Sequence, residues 1–217
     1  MPGGVADIIQ GGGGGGPDVS GAEERTQQNP QDADAWRDLA TALQQDGKPE
    51  AAIAPLERFV ALEPKDTDGL GTLASLYLIK AGNLADQLRA AQQQAALDNP
   101  GQSFTFPTDS PFSQAFATNP VTDAVVGDSN ATVNDLYTRT TQAYQEAKLK
   151  YAQLAELQPE DASIQIQLAQ AAENANDLPS AISAYEQFLK LAPDDPSAEA
   201  VKSRVEQLKA ASQSTGG

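Results

Sequence analysis

Four prolines stand where helical patterns stop, at Asn29-Pro30, Glu63-Pro64, Gln158-Pro159 and Ala192-Pro193, and within the first and the last pair the spacing is 34 residues. Proline cannot continue a helix, because it lacks the backbone donor and its ring clashes with the preceding turn. A fixed period of this length marks a supersecondary unit that cannot bury its apolar face alone and does so by stacking on a neighbour. Repeated units, each closed by a proline, are what this spacing implies.

The apolar pattern inside each period agrees. Ala33 to Asp66 carries Trp36, Leu39 beside Ala40, Leu43, Ala52 and Leu56, Phe59, then Pro64. Small side chains at Ala40 and Ala52 let two helices approach, while Trp36, Leu39 and Leu56 fill the space between them. Ala162 to Asp195 repeats the pattern with Leu168-Ala169, Ala172, Ala181, Tyr185, Phe188 and Pro193. These two stretches resemble the tetratricopeptide repeat family closely, and the middle of the chain resembles it weakly. Gln165 stands where the family has Trp, and Ala172 where it has Tyr.

The resemblance implies an all-α fold, a solenoid of antiparallel helix pairs over residues 20–211, with units 33–66, 67–161 and 162–195, a capping helix over 196–211 and a tail over 212–217. A capping box at Ser20-Gly21-Ala22-Glu23 predicts a short leading helix. The resemblance also implies a partner, a peptide or helix of another protein held on the concave face made by the first helix of each unit. That face would carry Asp34, Arg37, Thr41, Gln44 and Gln45 from the first unit, and Ser163, Ile166, Gln170, Glu173 and Asn174 from the last. Chaperone-binding members of the family use a basic clamp for a C-terminal carboxylate. Here Arg37 is the only cation in those positions and Asp38 follows it, so the expected partner segment is neutral or basic.

The middle unit is oversized, with 95 residues between Asp66 and Ala162. Leu70, Ala74, Tyr77, Ala81, Leu84, Leu88, Ala91 and Ala95 alternate steps of four and three, predicting one helix over about 67–97 despite Gly82-Asn83. Ala131 to Leu157 returns with Val133, Tyr137, Thr140, Tyr144, Ala147, Tyr151 and Leu154 in the same alternation. The expected result is an antiparallel coiled-coil arm, a tyrosine stripe facing an alanine and leucine stripe, joined by a loop over 98–130. That loop holds Phe104, Phe106, Phe112 and Phe116, four of the six phenylalanines. They either fold back along the arm or serve as a second partner-binding element.

Composition excludes much else. With 14 Lys+Arg against 30 Asp+Glu, a formal charge of −16 and no basic cluster, nucleic acid and anionic membrane surfaces are poor ligands. The absence of cysteine and histidine removes disulfides, thiolate and imidazole metal ligands, thiol nucleophiles and the commonest general base. The run Gly11 to Gly16 lacks the Gly-Lys-Ser/Thr that would make it a phosphate loop, and "DTDG" at Asp66 to Gly69 serves better as a helix cap than as the start of a calcium loop. No catalytic, metal or cofactor site is expected, and the reading is a non-enzymatic interaction scaffold. Its rivals are a structural element that self-assembles into a homo-oligomer through the arm seams, and a holdase for apolar segments. Residues 1–19 read as a glycine-rich tether, with neither a signal peptide nor a membrane-spanning run in the chain. This layout resembles the soluble part of bacterial single-pass proteins whose membrane helix lies upstream, which leaves localisation open between cytoplasmic and membrane-tethered.

Overall fold

The computed structural model describes residues 18–98 and 120–214, and among these the chain forms eight helices. They are α1 (Val19–Gln28), α2 (Ala33–Gln45), α3 (Ile53–Leu62), α4 (Thr67–Asp98), α5 (Pro120–Leu157), α6 (Ala162–Asn174), α7 (Leu178–Leu191) and α8 (Ala198–Ser214). The fold is all-α, as the repeat pattern predicts. The chain divides into two compact units, Met1–Leu76 and Tyr77–Gly217, where the repeat spacing reads as one domain over 20–211. None of the described helices is long and apolar enough to cross a membrane.

Helix starts are written largely in aspartate. Asp18 accepts from the Gly21 N–H at 2.9 Å, Asp32 from Ala35 at 3.2 Å and Asp66 from Gly69 at 2.7 Å. Asp161 accepts from Ser163 at 2.8 Å, Asp177 from Ser180 at 3.2 Å and Asp195 from Ser197 at 2.8 Å. The first five carboxylates each satisfy a donor that the first turn leaves orphaned and complement the positive helix end, worth about 1 kcal/mol, whereas Asp195 bonds Ser197 in the turn just before α8. The predicted capping box is displaced: Ser20 lies inside α1 and Asp18 caps it.

In the first unit α2 packs against α1 and α3. Arg25 donates to Asp38 at 2.7 Å to tie α1 to α2. Phe59, Leu70 and Leu73 are the largest fully buried side chains, and Ala40 and Ala52 are buried as close helix approach requires. The α2–α3 turn needs a left-handed residue, supplied by Gly47 at φ +73°, and Lys48 N–H closes it onto the Leu43 carbonyl at 2.9 Å. The α6–α7 turn is built identically, with Asn176 at φ +59° and Asp177 N–H on the Ala172 carbonyl at 2.8 Å.

In the second unit, α4 runs unbroken through Gly82, as its seam predicts; one interior glycine costs only about 1 kcal/mol. Ala81 and Leu84 of α4 form a core with Leu136 and Ala143 of α5, against which Leu88, Ala91 and Tyr144 pack. Near the other end of this antiparallel pair the Ser129 hydroxyl donates to Asp98 at 2.6 Å. The predicted loop over 98–130 is corrected on its C-terminal side. Helix α5 begins at Pro120, a residue suited to a first turn whose N–H needs no partner, so residues 120–130 are helical and not part of a loop. Phe104, Phe106, Phe112 and Phe116 lie outside the described residues.

The tyrosine stripe is also corrected. Tyr151 is buried, Tyr144 half-buried and Tyr137 58% exposed. A straight helix falls about 20° short of two turns in every seven residues, so a seven-residue repeat walks off the seam. Leu136 and Leu154 are instead eighteen residues apart, about five full turns, and both are buried. The real seam follows Leu136, Thr140, Ala143 and Ala147, and the buried Thr140 hydroxyl is satisfied by the Leu136 carbonyl at 2.7 Å.

Helices α6, α7 and α8 close a second core through Ala169, Ala172, Ala181, Tyr185, Phe188, Val201, Val205 and Leu208. On α8, Val201, Val205 and Leu208 are buried and Ala200 is exposed.

Candidate functional site

On α2, Arg37, Thr41, Gln44 and Gln45 fall at steps of four, three and one, which puts them on one helical face. They line a groove of about 460 Å³ whose other wall is the entry to α4: Asp66, Asp68, Gly69 and Thr72. Asp34 lines an adjoining hollow of about 470 Å³, which shares Arg37 and Asp66 with the groove and adds Glu63. The structure thus gathers all five first-unit residues that the sequence singles out.

The chemistry of this surface is set by local pairing. Arg37 donates to Asp34 at 2.5 Å and its guanidinium lies 5.5 Å from the centre of the Phe59 ring. Its charge is therefore already matched, and Asp66, Asp68 and Glu63 leave the groove acidic. Thr41 donates to the Arg37 carbonyl at 2.9 Å. Gln44 reaches back to the Ala40 carbonyl only at 3.4 Å, a long contact that leaves its amide available. Gly69 shapes the wall, since a Cβ there would sit 2.4 Å from Phe59.

The second-unit residues are placed differently. Glu173 is held from two sides: Arg204 of α8 donates through Nε at 3.0 Å and also through Nη2, and the Tyr185 hydroxyl of α7 donates at 3.2 Å. Arg204 keeps the Glu173 carboxyl below the usual range. Burial, with the neighbouring carboxylate, pushes the Tyr185 hydroxyl up to about 12. Ser163 bonds the capping Asp161 at 2.6 Å, and Ile166 packs on the α6–α7–α8 core. Gln170 and Asn174 remain exposed. Of this half, then, Glu173 and Ile166 serve the packing.

Sequence reasoning missed Asp68 and Thr72 as groove residues. The signal was present in "DTDG", which reads as a cap and is one through Asp66, yet its next turn also faces α2.

Tetratricopeptide repeat models match residues 33–76 and 140–196. Among solved structures, MamA is 15% identical with 81% of each chain covered and a TM-score of 0.29. A thermophilic tetratricopeptide protein of Thermus thermophilus is 17% identical, with 88% of this chain and 89% of that one covered and a TM-score of 0.27. YrrB, described as a tetratricopeptide protein with an unusual peptide-binding site, is 14% identical, with 85% and 99% covered and a TM-score of 0.26. No curated protein matches.

Proposed function

We propose that this chain, a member of the tetratricopeptide repeat family, is a non-catalytic scaffold that holds an extended neutral or basic segment of another protein between α2 and the start of α4. The observation that carries the reading is the groove itself, in which the hydroxyl and amides of Thr41, Gln44 and Gln45 face Asp66 and Asp68. Amide and hydroxyl groups meet the peptide backbone, and the unmatched carboxylates favour Lys or Arg side chains. Gln170 and Asn174 of the second unit offer the same amide chemistry on α6.

Selection from a random peptide display library on the full chain tests this, with a Thr41→Trp variant whose indole fills the groove as the counter-screen. Enriched peptides should carry Lys or Arg and lose binding to the variant. Peptides that bind both proteins equally would remove the α2–α4 groove as the site.

A second reading is self-association, favoured by Leu97 at 74% and Tyr137 at 58% exposure on the long helices of the second unit. Sedimentation equilibrium decides it: a chain that stays monomeric at high micromolar concentration does not assemble through these side chains.

A further inference from the structure

The two repeats align without a gap, Ala40 with Ala169, Ala52 with Ala181, Phe59 with Phe188 and Pro64 with Pro193. The same offset sets Trp36 against Gln165 and Arg58 against Gln187. In the first unit Trp36 fills its place: the indole N–H donates to the Pro30 carbonyl at 3.0 Å, and the Arg58 guanidinium lies 5.8 Å from the ring centre. In the second unit the ring is missing. A groove of about 770 Å³ opens between α5, α6 and α7, lined by both Gln165 and Gln187. Leu168, the counterpart of the buried Leu39, is half-buried on its floor, and Leu149 of α5 lines it at 49% exposure.

Two further features point to a ligand. Gln165 is 93% buried by its 7% exposure, lines the groove, and its side-chain amide takes no hydrogen bond among the described residues. No buried side-chain nitrogen or oxygen among the described residues lacks a partner, so this amide still meets solvent at the groove and is free to pair with a ligand. The charge at the rim is also unlike the rest of this acidic chain. Lys148 pairs with Asp177 at 2.8 Å and Glu186 with Lys209 at 2.6 Å, so these charges cancel. Lys190, on the last turn of α7, forms no direct ion pair among the described residues, though its charge also acts on Glu186 one turn earlier. The lining thus holds Lys148 and Lys190 against Glu186 alone, an excess of cations on a chain of formal charge −16.

We propose that this groove is a second peptide site with a charge preference opposite to that of the first, taking an extended acidic segment of another protein. One large apolar side chain of the segment enters the volume that Trp36 fills in the first repeat. The Gln165 amide, at once donor and acceptor, pairs with the peptide backbone, and a carboxylate of the segment meets Lys190. The volume is within the range of sites that enclose such a group.

The test is fluorescence anisotropy of the full chain with a labelled Asp-Glu-Phe-Asp-Glu peptide at about 0.15 M salt, with Lys-Arg-Phe-Lys-Arg as the control. The acidic peptide should bind. Gln165→Trp should weaken it more than about tenfold, and Lys190→Glu by roughly fivefold or more, while Thr41→Trp leaves it unchanged. Gln165→Leu, which removes the amide at nearly constant volume, gives the same direction if the tryptophan variant fails to fold. The proposal is overturned if the acidic peptide does not bind, if its binding survives both Gln165 variants, or if the basic peptide competes for the same groove. It is equally overturned if the chain self-associates and Gln165→Trp abolishes that association, which would assign the groove to a second copy. Because Thr41→Trp acts only on the first groove, failure of one site is read separately from failure of the other.

Discussion

Arg204 on α8 donates from Nε to Glu173 on α6 at 3.0 Å, a contact between residues 31 apart in sequence that fastens the last helix to the repeat before it. Arg204 holds the Glu173 carboxyl below its ordinary range, and Lys148 does the same to Asp177. Depressed carboxyls contribute stability that is complete above the unfolded values, about 4.3 for Glu and 3.9 for Asp, and is lost as pH falls through the lower folded values. Urea midpoints of the full chain should therefore drop as pH is lowered from 5 to below 4. Glu173→Gln should flatten part of that drop and cost up to about 1 kcal/mol at pH 7, since Arg204 is half-exposed and its charge is screened. An unchanged acid profile in the variant would show the pair to be energetically silent.

Tyr185 predicts the opposite limb. Its folded hydroxyl titrates at about 12, above the unfolded value near 10, because burial and then Glu173 disfavour the phenolate. Between those values the unfolded chain has released a proton that the folded chain retains, so stability falls as pH rises through the interval, by about 1 to 3 kcal/mol. Tyr185→Phe should remove this alkaline loss. Spectrophotometric titration at the phenolate band, compared between the two proteins, checks it directly.

Gly69 and Gly82 sit on the same helix and should respond to alanine with opposite signs. A Cβ at Gly69 would lie 2.4 Å from the buried Phe59 ring, whereas at Gly82 it meets nothing within 4 Å. Gly69→Ala should destabilise by about 1 to 3 kcal/mol through overpacking. Gly82→Ala should stabilise by about 0.5 to 1 kcal/mol through helix propensity. Thermal midpoints of the two variants moving in the same direction would contradict the packing described for α4.

The drift of the tyrosines along α5 makes its own forecast. Tyr137→Ser should change stability by no more than about 0.5 kcal/mol, as at other exposed positions. Leu136→Ala, one residue earlier, should cost about 2 to 5 kcal/mol, and Tyr151→Ser about 3 to 5. Chemical denaturation of the three variants distinguishes this seam from a strict seven-residue one, in which Tyr137 would matter as much as Tyr151.

What could be read from the sequence was whatever depends on neighbours a few residues away. The proline period, the Ala40/Ala52 and Ala169/Ala181 approaches and the unbroken seam through Gly82 are local patterns, and each survives in the fold. The phase of α5 was lost because steps of four and three suit a supercoiled and a straight helix equally over two turns and separate only over five. The candidate site divided on the same line. The α2 residues that meet α4 were legible, since both helices carry the repeat pattern. The fate of Glu173 was not, because its partners Tyr185 and Arg204 are brought to it by packing and no spacing rule announces an ion pair across 31 residues. Likewise Gln165 was noticed as a departure at a tryptophan position, but the hollow it leaves exists only once α5 and α7 stand on either side.

The aspartates at the helix starts have a further consequence. What each cap's hydrogen bond needs is an oxygen acceptor, which asparagine also provides; the charge adds only its smaller attraction to the helix end. At the caps Asp18 and Asp32 the carboxylate makes no direct ion pair among the described residues, so no cation would be orphaned by the exchange. Each such replacement removes one negative charge, and the two take the formal charge from −16 to −14 with both helices still begun in register. Fold and surface charge are thus separable at these positions: the electrical character of the chain can be retuned at the very residues that look most structural.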